Sequence, residues 1–322
     1  MINSVFSLSL HLLYIISLFT LVLSAACWLV SPFFTQWLKK FTLESKLILL
    51  RIFGISPLAG AVMLSIIVTV PALNHDSLLP IDHCHAASAC FGAPTSHMVT
   101  LVELLIAGAI VGLFLWACIS ALRYFQRAQK LFKRLDLVSE VGPESNVKII
   151  ESPVPLAFSL GIFKPITVLS TGLKNQLSPR QVRIVSIHEE VHTKYRDGLS
   201  KLLMQAICTF HFTSAQKYIL EQHALVLEMR ADQLAAQIIQ SNLDVAETIL
   251  TVKKLMSPEA QTEPLCQFLA SELEQRVHYL LAPVPEKSLC PKTIKLAVLT
   301  LIITAVCASV PLHNAIEFFI TL

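Results

Sequence analysis

The stretch SIHEEVHTKYRDG at 186–198 places two histidines and three acids in a chain otherwise dominated by apolar runs. On a helix, His188 and His192 are four residues apart and project from one face, so both imidazoles can reach one metal ion. Glu189 is rotated by about 100° from His188. It can touch a metal-bound water without being a ligand. This is the His-Glu-x-x-His arrangement of zinc hydrolases, which need a third protein ligand and one open position. Glu228 is the best third ligand, because it lies 36 residues beyond His192 on a separate segment of helical period whose other faces are largely apolar. Asp232 follows four residues later on the same face, where a carboxylate can accept the second N–H of a liganding histidine and fix its tautomer. The chemistry expected is peptide hydrolysis with one Zn2+ per chain. The metal activates water and polarises the scissile carbonyl, while Glu189 takes the proton and passes it to the leaving amine. Tyr195, His211, His223 and Arg230 are all candidates for an additional electrophile at the oxyanion, and the sequence does not choose among them.

These residues must be positioned by helices. In LSPRQVRIVSIHEEVHTKYRDG, Ser178 is an N-cap candidate, Pro179 suits the first helical position, Gln181 completes a capping box and Gly198 suits the end. Upstream, NVKIIESPVPLAFSLGIFKPITVLSTGL is rich in β-branched residues and punctuated by Pro and Gly, which predicts two or three short strands. An exposed edge of such a sheet is expected to take substrate in extended form. Downstream, LSKLLMQAICTFHF is apolar but too short to span a bilayer, and reads as a core helix or a segment dipping into the interface. Helices are expected at about 215–240, which contains Glu228 and Asp232, and at about 243–256 and 262–281.

The rest of the chain belongs to a membrane. Of 322 residues, 54% are hydrophobic and 15% charged, with a mean hydropathy of +0.64. Four runs meet the need for roughly 20 apolar residues: 6–33, 52–70, 98–122 and 296–318. The first has no Lys or Arg before Lys39 and so reads as a retained anchor instead of a signal peptide. All 25 Lys and Arg fall at 39–51 or 123–295. The positive-inside rule then places both termini and the 73–97 loop outside, and the 39–51 turn and the whole 123–295 block in the cytoplasm. The expected organisation is three spans within 1–122, a cytoplasmic catalytic domain at 123–295 and a fourth span within 296–322. A basic helix at about 123–137 should sit near anionic lipid. The net charge of +3 follows from this arrangement and needs no nucleic acid. In the outer loop, Cys84 and Cys90 share the oxidising side with four histidines, which suggests a disulfide, or a metal- or redox-sensing loop. Glu103 is an acid inside a span, and either functional or reaching the headgroups.

The segments SPVPLAFSLGIFKPITVLSTGL, SPRQVRIVSIHEEVHTKYRD, FHF and LEMRAD resemble, in order and spacing, the BlaR/MecR-type membrane-embedded antirepressor metalloproteases. The resemblance covers nearly the whole chain. It implies an α-helical integral membrane protein carrying an α+β gluzincin domain, with His188, His192 and Glu228 as zinc ligands and Glu189 as general base. Asp197, at the family's acid five residues after the second histidine, is implied to be structural. Members of the family relay an outside signal by cleaving a cytoplasmic repressor, so the partners expected are such a protein substrate and the lipid bilayer. The antibiotic sensors of the family carry a penicillin-binding domain after the fourth span, whereas this sequence ends at Leu322; a signal other than a directly bound β-lactam is therefore expected. Ala231 stands where a cysteine is frequent, giving Glu-x-x-Ala-Asp as in HtpX-like quality-control proteases, which are the rival enzymatic reading. A non-catalytic zinc-binding receptor or scaffold is the rival from another class. An intact base and ligand set argue against it.

Overall fold

The computed structural model describes residues 2–73, 101–138, 140–141, 147–161, 165–256, 263–282 and 287–289, with a few isolated positions beyond. Three long helices come first: α1 (Ile2–Leu38), α2 (Leu43–Leu73) and α3 (Leu101–Val138). They contain windows long and apolar enough to cross a membrane at Leu12–Leu38, Leu43–Ile66 and Leu104–Arg127. In such a setting every backbone polar group must be satisfied within the helix, and hydroxyls follow suit: Ser17, Thr20 and Ser65 donate to the carbonyls of Leu13, Ile16 and Ala61. Pro32 has no N–H for the carbonyl of Trp28, and the Ser31 hydroxyl donates to it instead at 2.8 Å. The second helix begins well before the run at 52–70, because Glu44, Lys46 and Arg51 are carried on its first turns. The basic segment at 123–137 is a direct continuation of α3. The fourth run at 296–318 falls almost wholly outside the described residues, as do Cys84 and Cys90 and the side chain of Glu103.

The remaining elements form a helical domain with a small mixed sheet. Strands β1 (Glu140–Val141), β2 (Val147–Ile150), β3 (Ala157–Leu160) and β4 (Ile166–Ser170) are ordered β1-β2-β4-β3. The central β2–β4 pair is parallel, and β1 and β3 flank it antiparallel. Short α4 (Thr171–Gln176) leads to α5 (Pro179–Lys194), α6 (Asp197–Ile207), a 3-10 turn at Cys208–Phe210, α7 (Thr213–Ile239), α8 (Asn242–Met256) and α9 (Glu263–Leu281). The start of α5 is the one legible in the sequence: Ser178 caps it, the Gln181 side chain reciprocates and Pro179 opens it. Its end differs. The helix stops at Lys194, Arg196 adopts a left-handed conformation (φ 53°) and Gly198 lies in the first turn of α6. The early stop is what turns Asp197 back toward His192.

Two cores hold the site helices. Leu38, Leu43, Leu47 and Leu50 from α1 and α2 pack with Met204, Cys208, Ile219 and Leu227, so the membrane helices and the domain share one apolar cluster. Ile184 of α5, Ala235 and Ala236 of α7, Val245 of α8 and Leu280 of α9 form the second. Polar ties reinforce the junction: Ser24 donates to the carbonyl of Phe210, Trp28 Nε1 to Ser214 and His211 Nε2 to the carbonyl of Gly54 at 3.0 Å. The short apolar segment after 198 is thus a helix wedged between α2, α3 and α7.

Gly172 is held where its N–H donates to Ser152 at 2.8 Å, and a Cβ there would lie 2.2 Å from the Pro153 carbonyl oxygen. That neighbour is backbone and cannot swing away. Gly172→Ala should destabilise the domain by about 1–3 kcal/mol, measured by thermal unfolding in detergent. Gly198→Ala, with its nearest neighbour at 3.8 Å, should be neutral or slightly stabilising.

Candidate metal centre

The site is built where α5 crosses α7. His188 Nε2 and His192 Nε2 lie 3.1 Å apart, and Glu228 Oε2 from α7 is 3.4 Å from the first and 3.6 Å from the second. These three residues form a group able to hold a metal ion. The spacing itself is informative, because ligands at the ~2.0–2.1 Å of zinc–nitrogen and zinc–oxygen bonds sit roughly 3.3–3.4 Å apart on a tetrahedron. The donor set therefore fits a tetrahedral cation with one open position.

Each imidazole is turned by a carboxylate behind it. His188 Nδ1 donates to Asp232 at 2.9 Å, and His192 Nδ1 donates to Asp197 at 2.8 Å. Both aspartates are buried, at 0% and 2% exposure, and each is compensated by an arginine. Arg276 of α9 grips Asp232 with Nε at 2.7 Å and Nη2 at 2.9 Å, and Arg230 donates to Asp197 at 2.5 Å. Asp232 lies behind His188. Asp197 is its counterpart on the other histidine.

Burial opposes charge on His188, but hydrogen bonds and charge from Asp232 and Glu228 outweigh it and raise its pKa to about 10. His192 moves the same way, with burial outweighed by Asp197 and Glu228. Glu228 is held well below the usual carboxylate range, because its hydrogen bonds to the two histidines overcome burial. Glu189 goes in the opposite direction: burial raises it, and the nearby histidines offset only part of that.

A cavity of about 200 Å3 opens beside this group. His188, Glu189 and Glu228 line one end, and Ile184, Val185, Val245, Ile249 and Val252 give the remainder an apolar wall. Ala157 of β3, the edge strand, also faces it. Of the electrophile candidates, none lines this cavity. Tyr195 stacks on the Arg230 guanidinium at 4.1 Å, His223 Nε2 meets Ser200 Oγ at 3.1 Å, and His211 is tied to α2. The cations at the cavity are Arg276 and Lys253, and Lys201 Nζ lies 3.4 Å from Glu228 Oε1. Arg276 escaped the sequence reading because α9 is far from the motif in the chain and carries no spacing that points to it.

The family model described as BlaR1 peptidase M56 matches residues 12–280 of the chain. No curated protein and no solved structure matches.

Metal uptake should be linked to protons. With its pKa raised to about 10, His188 carries a proton at neutral pH in the metal-free protein and must lose it to ligate. Apparent zinc affinity should therefore rise with pH by about tenfold per unit for each proton displaced. Chelator-buffered zinc titrations between pH 6 and 8, with proton release read by an indicator dye, check both sign and size; an affinity independent of pH contradicts the charged His188.

Proposed function

The chain belongs to the BlaR1 peptidase M56 family, and from that premise we propose that it is a membrane-embedded zinc endopeptidase that cleaves a cytoplasmic protein, a transcriptional repressor, in signal-dependent proteolysis. The observation that carries the reading is the convergence of His188, His192 and Glu228 on one point, with His188 and Glu228 lining, together with Glu189, the cavity beside them. The distribution of Lys and Arg supports a cytoplasmic domain with both termini outside.

When bound, zinc supplies an activated water and a Lewis acid for the scissile carbonyl. The chain's residues do the rest. Glu189 sits on α5 next to a ligand, and burial raises its proton affinity. It is suited to accept a proton from the nucleophile and return it to the leaving amine. Strand β3 is an edge strand of the sheet and packs with β4 against α5, and its free edge suits a substrate strand aligned by main-chain hydrogen bonds. The apolar wall from α5 and α8 suits an apolar substrate side chain. Arg276, 3.5 Å from Glu228 Oε2 and lining the cavity, orients the ligand set through Asp232.

Purified wild-type protein should hold about one zinc per chain, and Glu228→Ala should lose it. Glu189→Gln should retain the metal and lose about 10²–10⁴-fold in cleavage rate. Metal content is read by elemental mass spectrometry, and cleavage by comparing protein N-termini in cells expressing wild type or Glu189→Gln. Identical N-termini with the metal retained would replace the peptidase with a zinc-binding scaffold.

A further inference from the structure

A second cavity, of about 300 Å3, lies between α3 and the α6–α7 segment. It does not touch the metal centre. On the α3 side it is lined by Arg123 and Arg127, which are one helical turn apart on the same face. Tyr124 and Ser120 lie beside them, and Gln205, Thr209 and Gln216 face them from the domain. Among the described residues no acidic residue lines the cavity and neither arginine has an ion-pair partner. Two like charges at this spacing destabilise a helix on their own. An anion bridging them would remove the repulsion, and paired guanidiniums suit the oxygens of a phosphate.

The position of the cavity selects the anion. The apolar window of α3 runs from Leu104 to Arg127, so the two arginines occupy its last turns, at the level of a bilayer surface. Along α3, into the apolar window, the lining changes from the two arginines to Ala117 and Trp116, and Leu202 of α6 adds a further apolar side chain to the cavity. A site that is cationic and amide-lined at one end and apolar at the other matches an amphiphile. Inorganic phosphate would leave the apolar end unused.

We propose that the α3–α6 cleft is a binding site for one anionic phospholipid, its phosphate held by Arg123 and Arg127 and its acyl chains lying along Trp116 and Leu202. Because α6 begins at Asp197, the partner of His192, a lipid seated here would brace the element that orients a metal ligand. The inference rests on reading α3 as a membrane span.

The chain has three tryptophans, and Trp28→Phe with Trp37→Phe leaves Trp116 as the single reporter in the full-length protein. In phosphatidylcholine vesicles, a small fraction of phosphatidylglycerol with brominated acyl chains should quench Trp116 at least about threefold more than brominated phosphatidylcholine at the same fraction. Arg123→Gln with Arg127→Gln should abolish this preference, and Lys174→Gln, an exposed charge on α4, should keep it. Equal quenching by the two lipids in the protein with both arginines overturns the proposal, and this comparison decides even if the double variant does not fold. A preference that survives in a folded double variant overturns it as well, since it then reflects general charge. Loss of the preference on adding millimolar inorganic phosphate would reassign the cleft to a free anion. Absence of quenching by either lipid would instead strike at the membrane reading of α3.

Discussion

The geometry of the metal group depends on two buried carboxylates that cannot be left uncompensated. Removing the partner of a buried charge costs on the order of 3–5 kcal/mol, and Asp197 and Asp232 are both almost fully enclosed. Each is stabilised from both sides, by an imidazole N–H in front and a guanidinium behind. Committing both Nδ1 protons to aspartates turns both Nε2 atoms toward a common point. The histidines are therefore oriented before any ion arrives. Four helices are recruited for this one purpose: α5 brings the imidazoles, the start of α6 brings Asp197, α7 brings Glu228, Arg230 and Asp232, and α9 brings Arg276.

That arrangement is continuous with the membrane helices. Arg230, which compensates Asp197, also lies 3.8 Å from Glu44 on the first turn of α2. Arg51 of α2 donates to Ser200 on α6, whose hydroxyl meets His223. Together with the shared apolar cluster around Leu47, Leu50 and Leu227, these contacts leave little freedom for the α1–α2 hairpin to move without the domain. Small displacements of packed elements are taken up at discrete contacts and not spread evenly. The natural place for such a displacement to reach the site is the Arg230–Asp197–His192 chain, because it is the shortest polar connection from α2 to a ligand.

The local part of this design was legible in the sequence, and the long-range part was not. His188, Glu189 and His192 share one helix, so their relation follows from a fixed period. The capping box at Ser178 and Gln181 is equally local, and the strands at 147–170 carried their β-branched signature. Glu228 and Asp232 were reachable because they sit four residues apart on a separate segment of helical period whose other faces are largely apolar. Arg276 offered no such handle. Its role exists only because α9 packs against α7, a tertiary fact that leaves an ordinary amphipathic pattern in the sequence. The premature end of α5 was hidden for a similar reason: Gly198 looks like a terminator, but the turn is made two residues earlier by Arg196, where Asp197 must reach back to His192.

The carboxylates around the metal group also sort themselves by environment. Glu228 and Asp232 are as deeply enclosed as Glu189, yet the first two are held anionic by direct hydrogen bonds from histidines, with Arg276 adding to the effect at Asp232. Among the described residues Glu189 receives no such bond, only partial relief from the charges nearby, and burial raises its proton affinity. In the metal-free site the carboxylates thus divide into two that are held anionic and one that takes up a proton more readily. For the proposed hydrolysis that division is the requirement: a ligand and an orienting acid must stay ionised throughout, while the base must be able to hold a proton between its capture from the nucleophile and its delivery to the leaving amine. The same helix turn that separates Glu189 from the ligand face thus gives it both its position and its chemistry.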